Sequence, residues 1–127
     1  MTLRALIVDD NVEFLNAARA LLEREGVDVA ALASTSAEAL EQVDRLRPDV
    51  ALVDIDLGAE SGFDLAERLA RGTAGGHRPR IVLISTYAER DVAELVDATP
   101  AIGFLSKSDI SGAALRELLA TASGEEP

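Results

Sequence analysis

Residues 50–54 read Val-Ala-Leu-Val-Asp, an apolar run of strand length that ends in a carboxylate. A continuous apolar run of this length is typical of a strand buried on both faces of a parallel sheet. Comparable apolar runs recur at residues 3–8, 27–33, 80–84 and 102–105, and the run at residues 27–33 is weaker than the others. The sequence therefore offers five candidate strands.

Segments in which apolar residues recur with helical spacing separate these runs. Gly26 is predicted to stop the first helix, Ser36 to cap the second, which ends before Pro48, and Ser111 to cap the last. The predicted helices cover residues 11–25, 36–47, 63–70, 89–98 and 111–122. The inner face of the first is predicted to carry Phe14, Ala17, Ala18, Leu21 and Leu22.

Successive strand-helix units of this kind predict an α/β domain, a (βα)5 doubly wound parallel five-stranded sheet with helices on both faces. By analogy, the flavodoxin-like strand order 2-1-3-4-5 places the weaker second strand, which contains Asp28, at an edge. We expect one domain over residues 1–122 and a short tail or truncated linker over residues 123–127.

Composition narrows the functional classes. The formal net charge of −11 argues against direct nucleic-acid binding by this domain, because Lys and Arg supply most of that affinity. The absence of cysteine excludes disulfides and thiolate chemistry. No apolar run approaches the roughly 20 residues that cross a bilayer, and the N-terminus lacks the features of a signal peptide. We therefore expect a cytoplasmic domain without membrane contact.

Polar residues stand where the predicted strands end. Because the carboxyl ends of parallel strands share one edge of the sheet, we expect these side chains to converge there. They are the carboxylates Asp9, Asp10 and Asp54, the hydroxyl residues Ser85 and Thr86, and the ammonium of Lys107.

Clustered carboxylates repel one another unless a cation lies among them, and Mg²⁺ prefers such oxygen ligands. We expect Asp10 and Asp54 to bind Mg²⁺ directly, Asp9 to hold a metal-bound water, and Asp56 to contribute its backbone carbonyl. Asp54 would then be a competent nucleophile toward phosphorus and form an acyl phosphate.

The remaining polar groups fit the same chemistry. Ser85 can donate a hydrogen bond to a phosphoryl oxygen, and Lys107 can pair with another. Without phosphate we expect Lys107 to pair with Asp54 or Asp9, so that phosphorylation changes ionic partners and acts as a switch.

Two other functions are compatible with these residues. Asp54 and Asp56 imitate the nucleophile and acid of a haloacid-dehalogenase-like phosphatase, although there the second acidic pair follows the lysine, whereas Asp9 and Asp10 lead here. A protein-interaction module of the same fold, whose output is binding without phosphorylation, is the other alternative, and Thr86 after Ser85 keeps it open.

Taken together, the motifs resemble those of bacterial two-component response-regulator receiver domains, over nearly the whole chain. The sequence of residues 103–110 is most similar to that of receivers of the NarL/FixJ group, which are usually joined to a helix-turn-helix DNA-binding domain. The motifs are Leu6-Ile7-Val8-Asp9-Asp10, residues 48–55, Ser61-Gly62, Ile84-Ser85 and Gly103-Phe104-Leu105-Ser106-Lys107.

The resemblance implies that Asp54 is the phosphoacceptor, Asp9 and Asp10 the acidic pair, Ser85 the switch hydroxyl, Phe104 the switch aromatic and Lys107 the family's lysine. A histidine kinase or phosphotransfer protein would donate the phosphoryl group. Phe104 would rotate inward, and the surface of the fourth helix, fifth strand and fifth helix would be remodelled for homodimerisation or partner binding.

The resemblance also implies what the domain does with the phosphoryl group. Such domains receive it and can release it themselves, but they are not turnover enzymes. Control of transcription would pass through a DNA-binding domain that is absent from these residues. Three positions depart from the family's pattern: Gly58 and Ser108 replace frequent prolines, and Thr86 replaces a small residue. We expect the β-branched Thr86 to narrow access to Asp54.

Overall fold

A computed structural model of the chain describes residues 2–86 and 97–122. It contains a five-stranded parallel sheet with the order β2-β1-β3-β4-β5. The strands are β1 (Arg4–Val8), β2 (Asp28–Ala33), β3 (Val50–Asp54), β4 (Arg80–Ser85) and β5 (Gly103–Ser106). The predicted fold class is confirmed, including the position of the second strand at an edge.

Besides a 3-10 turn at Lys107–Asp109, α-helices accompany the sheet in the part of the chain that the structure describes. They are α1 (Val12–Arg24), α2 (Ser36–Leu46), α3 (Gly62–Arg71) and the C-terminal helix (Gly112–Ala122). The helix predicted at residues 89–98 lies almost wholly outside the described residues, as does the predicted tail at 123–127. No helix within residues 2–86 and 97–122 is long and apolar enough to span a bilayer.

The predicted inner face of α1 was partly wrong. Ala17 is exposed, whereas Leu15 is 4% exposed and joins Ala18 and Leu22 on the buried face. The buried stripe is turned by less than one residue's step of about 100° from the predicted one. This rotation moves Phe14 from the centre of the face to its half-buried margin.

One predicted helix cap was also wrong. Thr35, not Ser36, caps α2, because the Thr35 side chain accepts a hydrogen bond from the Glu38 amide. Ser36 is the first helical residue, and its amide donates to Oε1 of Glu60 at 2.9 Å. The cap predicted for the C-terminal helix is confirmed, since Ser111 Oγ accepts from the amide of Ala114 at 3.0 Å, and Gly26 follows α1 with a φ of 86°.

Apolar side chains fill both faces of the sheet. On one face α1 and the C-terminal helix bury Leu15, Leu22 and Leu115, and on the other α2 and α3 bury Val43 and Leu65. β1 and β3 lie between these layers and are fully buried over most of their length. This packing fixes the carboxyl ends of the strands relative to one another.

Candidate functional site

The polar residues predicted to converge do meet at the carboxyl edge of the sheet. Asp54 and Ser85 are the last residues of β3 and β4, Asp9 directly follows β1, and Lys107 directly follows β5. A cavity of about 290 Å³ opens among them. It is lined by Asp10, Asn11, Asp54, Asp56, Gly58, Ser85, Thr86 and Lys107.

Lys107 links two carboxylates from different strands. Its Nζ lies 2.6 Å from Oδ2 of Asp9 and 3.2 Å from Oδ2 of Asp54. Asp9 is fully buried, and the Lys107 side chain is 17% exposed. The other oxygen of Asp9 accepts a hydrogen bond from the amide of Asn11 at 2.8 Å. Both oxygens of Asp9 are therefore engaged by the protein.

Burial raises the pKa of the Asp54 carboxyl, and the negative charge of Asp9 acts in the same direction. A hydrogen bond from the amide of Asp56 to Oδ1 of Asp54, 3.1 Å long, and the contact with Lys107 oppose this shift. Burial also disfavours the charge on Lys107, but its hydrogen bonds with Asp9 and Asp54 outweigh burial and raise its pKa. The ammonium is thus the charged partner that the carboxylates require.

The carboxylates also suit a divalent cation. Asp9, Asp10 and Asp54 each offer one oxygen, and these three atoms lie within 4.8 Å of one another. Mg²⁺ prefers hard oxygen ligands and commonly binds proteins through one or two carboxylates. Asp10 is exposed and faces the cavity, whereas Asp9 is occupied by Lys107 and Asn11. The donor set therefore fits Mg²⁺, with Asp10 and Asp54 as the accessible carboxylates.

Two glycines shape the loop after β3. A Cβ on Gly62 would lie 1.9 Å from the backbone oxygen of Asp54, so only glycine allows α3 to begin this close to the site. Gly58 turns the short hairpin of Asp56–Leu57 and Glu60–Ser61 with a φ of 71°. Proline cannot adopt that conformation. The turn at Gly58 is therefore one that a proline at this position could not form.

Of the two predicted switch residues, Ser85 lines the cavity, whereas Phe104 lies in β5, three residues before Lys107. Ser85 is 2% exposed, and Phe104 is 6% exposed within the cluster that packs against α2 and α3. Thr86 is exposed and lines the cavity. The peptide bond between Lys107 and Ser108 is trans.

Phe14 is the site residue whose role the sequence did not reveal. The Lys107 ammonium lies 4.5 Å from the centroid of its ring, within cation–π range. The two residues also line a second cavity, of about 440 Å³, together with Asn11, Thr86, Ser106 and Ser108. The helical spacing of apolar residues predicted Phe14 on the inner face of the first helix. No pattern in the sequence predicts its contact with Lys107, which lies far along the chain.

Known proteins resemble this chain in sequence and in fold. The family model of the response regulator receiver domain matches residues 5–120. The chain is 34% identical to the nitrate/nitrite response regulator protein NarP of Escherichia coli over 97% of its own length and 56% of that protein. It is also 34% identical to a protein-glutamate methylesterase/protein-glutamine glutaminase of Alkalilimnicola ehrlichii, over 88% of the chain and 29% of that protein.

Among solved structures, the chain resembles the signal receiver domain of the putative response regulator NarL from Mycobacterium tuberculosis. The TM-score is 0.77 at 28% identity, over 97% of this chain and 98% of that one. The fold and the acidic edge define a receiver-type α/β domain. The chain belongs to the response regulator receiver domain family of two-component signalling, and the resemblance to NarL-type regulators is confirmed.

Receiver domains of this family bind Mg²⁺ in an acidic pocket and interact with histidine kinases or phosphotransfer proteins. The cluster of Asp9, Asp10 and Asp54 corresponds to such a pocket. The chain spans little more than half of NarP and under a third of the methylesterase. The activities of those whole proteins therefore do not follow from the match.

Proposed function

We propose that this domain accepts a phosphoryl group on Asp54 in a Mg²⁺-dependent reaction, with a histidine kinase or phosphotransfer protein as donor. The observation that supports this most strongly is the position of Lys107, which contacts Asp9 and Asp54 at once. An ammonium there neutralises the acceptor before reaction and lies within reach of phosphoryl oxygens afterwards.

In the proposed reaction, a carboxylate oxygen of Asp54 attacks the phosphorus of a phosphohistidine. A P–O bond forms, the P–N bond of the donor breaks, and the imidazole nitrogen leaves with the electron pair. The amide of Asp56 holds Oδ1 of Asp54 at 3.1 Å, which orients the carboxylate for attack. Ser85 and Lys107 then bind phosphoryl oxygens.

Asp10, Asp54 and the backbone carbonyl of Asp56 would hold Mg²⁺, and Asp9 would position a metal-bound water. When bound, the ion neutralises charge on the phosphoryl oxygens. Asp10 suits this role because it is exposed to the cavity, and a Cβ on Gly58 would lie 3.2 Å from its Oδ2. Glycine at position 58 thus leaves the Asp10 carboxylate room.

The output we propose is a change in protein contacts and not sustained turnover. Ser85 would move toward the phosphoryl group, and Phe104 would respond by shifting the population between two conformers of the face formed by the fourth helix, fifth strand and fifth helix. This face would then dimerise or bind a partner in the cytoplasm. In a longer protein, a DNA-binding domain would convert that change into transcriptional control.

Intact mass spectrometry tests this proposal. The protein is incubated with Mg²⁺ and acetyl phosphate, with an EDTA sample and an Asp54→Ala variant alongside. We expect one phosphoryl adduct that requires Mg²⁺ and is absent from the variant. Absence of the adduct, in a folded protein shown to bind Mg²⁺, would favour a phosphorylation-independent interaction module. Steady hydrolysis of a phosphomonoester would favour the phosphatase alternative.

A further inference from the structure

Four residues at this edge form a closed ring of contacts. The amide of Asn11 donates to Oδ1 of Asp9 at 2.8 Å, and the amide of Phe14 donates to Oδ1 of Asn11 at 3.1 Å. The Phe14 ring lies 4.5 Å from the Lys107 ammonium, which returns to Oδ2 of Asp9 at 2.6 Å. The start of α1 is therefore joined to Lys107 by two separate routes.

We infer that Phe14 is a positioning residue, whose ring holds the Lys107 ammonium over the acceptor site by a cation–π contact. This inference rests on the proposed phosphorylation of Asp54. The negative face of an aromatic ring attracts a cation most strongly where both are shielded from water, and the Lys107 side chain is only 17% exposed. The backbone hydrogen bond to Asn11 fixes the residue that carries the ring.

The ring has an advantage over another carboxylate in this place. An ammonium has three N–H donors, and Asp9 and Asp54 account for two acceptors. Phe14 attracts the charge but contributes no oxygen that competes with a phosphoryl group or a cation. Lys107 can therefore exchange Asp54 for a phosphoryl oxygen while Asp9 and the ring keep its position.

Substitutions of Phe14 separate this role from packing. Phe14→Leu keeps an apolar side chain but removes the ring, whereas Phe14→Tyr keeps the ring. We expect Phe14→Leu to be phosphorylated by acetyl phosphate roughly 3-fold to 20-fold more slowly than the wild type, the range that a cation–π contact allows. Phe14→Tyr should restore the rate to within about 2-fold. Phe63→Leu, which makes the same change on the opposite face of the sheet, should leave the rate unchanged.

A spectroscopic measurement that does not depend on phosphorylation accompanies the rates. The Lys107 Hε protons, on the carbon bonded to the Nζ that lies over the ring, should resonate upfield in the wild type and in Phe14→Tyr. They should return to ordinary values in Phe14→Leu. Equal rates for Phe14→Leu and the wild type, with folding intact, would overturn the inference. Lys107 Hε protons at ordinary values in the wild type would also overturn it. If the wild type forms no adduct, the proposed function fails, and these resonances alone decide whether Phe14 holds Lys107.

Discussion

The Lys107 ammonium lies 2.6 Å from Oδ2 of Asp9, a carboxylate with no exposed surface. A buried charge is tolerated only when it is paired, because its desolvation costs several kcal/mol. The lysine that we propose for phosphoryl binding is therefore also the ionic partner of a buried carboxylate. Stability and signalling chemistry depend on the same ion pair.

Loss of the ammonium should destabilise the domain strongly. We expect Lys107→Met to lower the free energy of unfolding by about 3 kcal/mol in EDTA at pH 7, because Asp9 is left buried without a partner. Urea denaturation measures the change. The double variant Lys107→Met/Asp9→Asn should recover most of the loss, since no uncompensated charge remains. A Lys107→Met protein as stable as the wild type would contradict the assigned pairing.

Asp54 should make stability depend on pH. Because its pKa is raised in the fold, the native state binds this proton more tightly than the unfolded chain, whose Asp pKa is about 3.9. The contribution of this group to stability therefore falls as pH rises between those two pKa values. At pH 7 in EDTA we expect the free energy of unfolding of Asp54→Asn to be about 1 kcal/mol higher than that of the wild type.

The pH dependence of the free energy of unfolding, measured for the wild type and for Asp54→Asn, checks the direction of this effect. The difference between Asp54→Asn and the wild type should vanish below about pH 3.5, where the carboxyl is protonated in both states. Glu117→Gln, an exposed carboxyl on the C-terminal helix, controls for the change in net charge. A wild type that gains stability relative to Asp54→Asn between pH 4 and 7 would show that burial does not dominate.

Mg²⁺ should stabilise the folded domain. At ten times its dissociation constant a ligand bound by the native state adds about 1.4 kcal/mol, which thermal unfolding with and without EDTA detects. We expect Asp10→Asn to lose most of this gain and Glu117→Gln to retain it. Equal gains in both variants would place the ion elsewhere.

The role of Gly58 can be tested against Gly76, a glycine with a similar backbone conformation. Gly58 and Gly76 have φ values of 71° and 83°, but a Cβ at position 58 would lie 3.2 Å from Oδ2 of Asp10, whereas nothing lies within 4 Å at position 76. Both alanine variants should lose about 1 kcal/mol from backbone strain. In the same thermal assay, only Gly58→Ala should also bind Mg²⁺ more weakly. Equal Mg²⁺ affinity in the two variants would separate this turn from Asp10.

The polar residues at the carboxyl ends of the strands were predictable, because the apolar runs and the residues that end them can be read directly from the sequence. Apolar runs end at Asp9, Asp54 and Ser85, and parallel strands bring their carboxyl ends to one edge. The contact between Phe14 and Lys107 was not predictable, because it depends on the rotation of α1 about its own axis. Apolar spacing left that rotation uncertain by nearly one residue, as the burial of Leu15 shows.

One smaller error has a similar origin. Thr35 and Ser36 are both residue types that cap helices well. Thr35 is the cap here, and the Ser36 amide instead donates a hydrogen bond to Glu60, which lies in the hairpin after β3. This contact joins segments that are far apart in sequence.

The most direct test of the central claim is to locate the phosphoryl group. After reaction with acetyl phosphate and Mg²⁺, borohydride reduces an aspartyl phosphate to homoserine, and tandem mass spectrometry of the peptides identifies its position. We predict homoserine in place of aspartate at position 54 and at no other aspartate. Homoserine at Asp9, Asp10 or Asp56, or unmodified peptides from a protein that carries the adduct, would contradict the assignment of Asp54 as the acceptor.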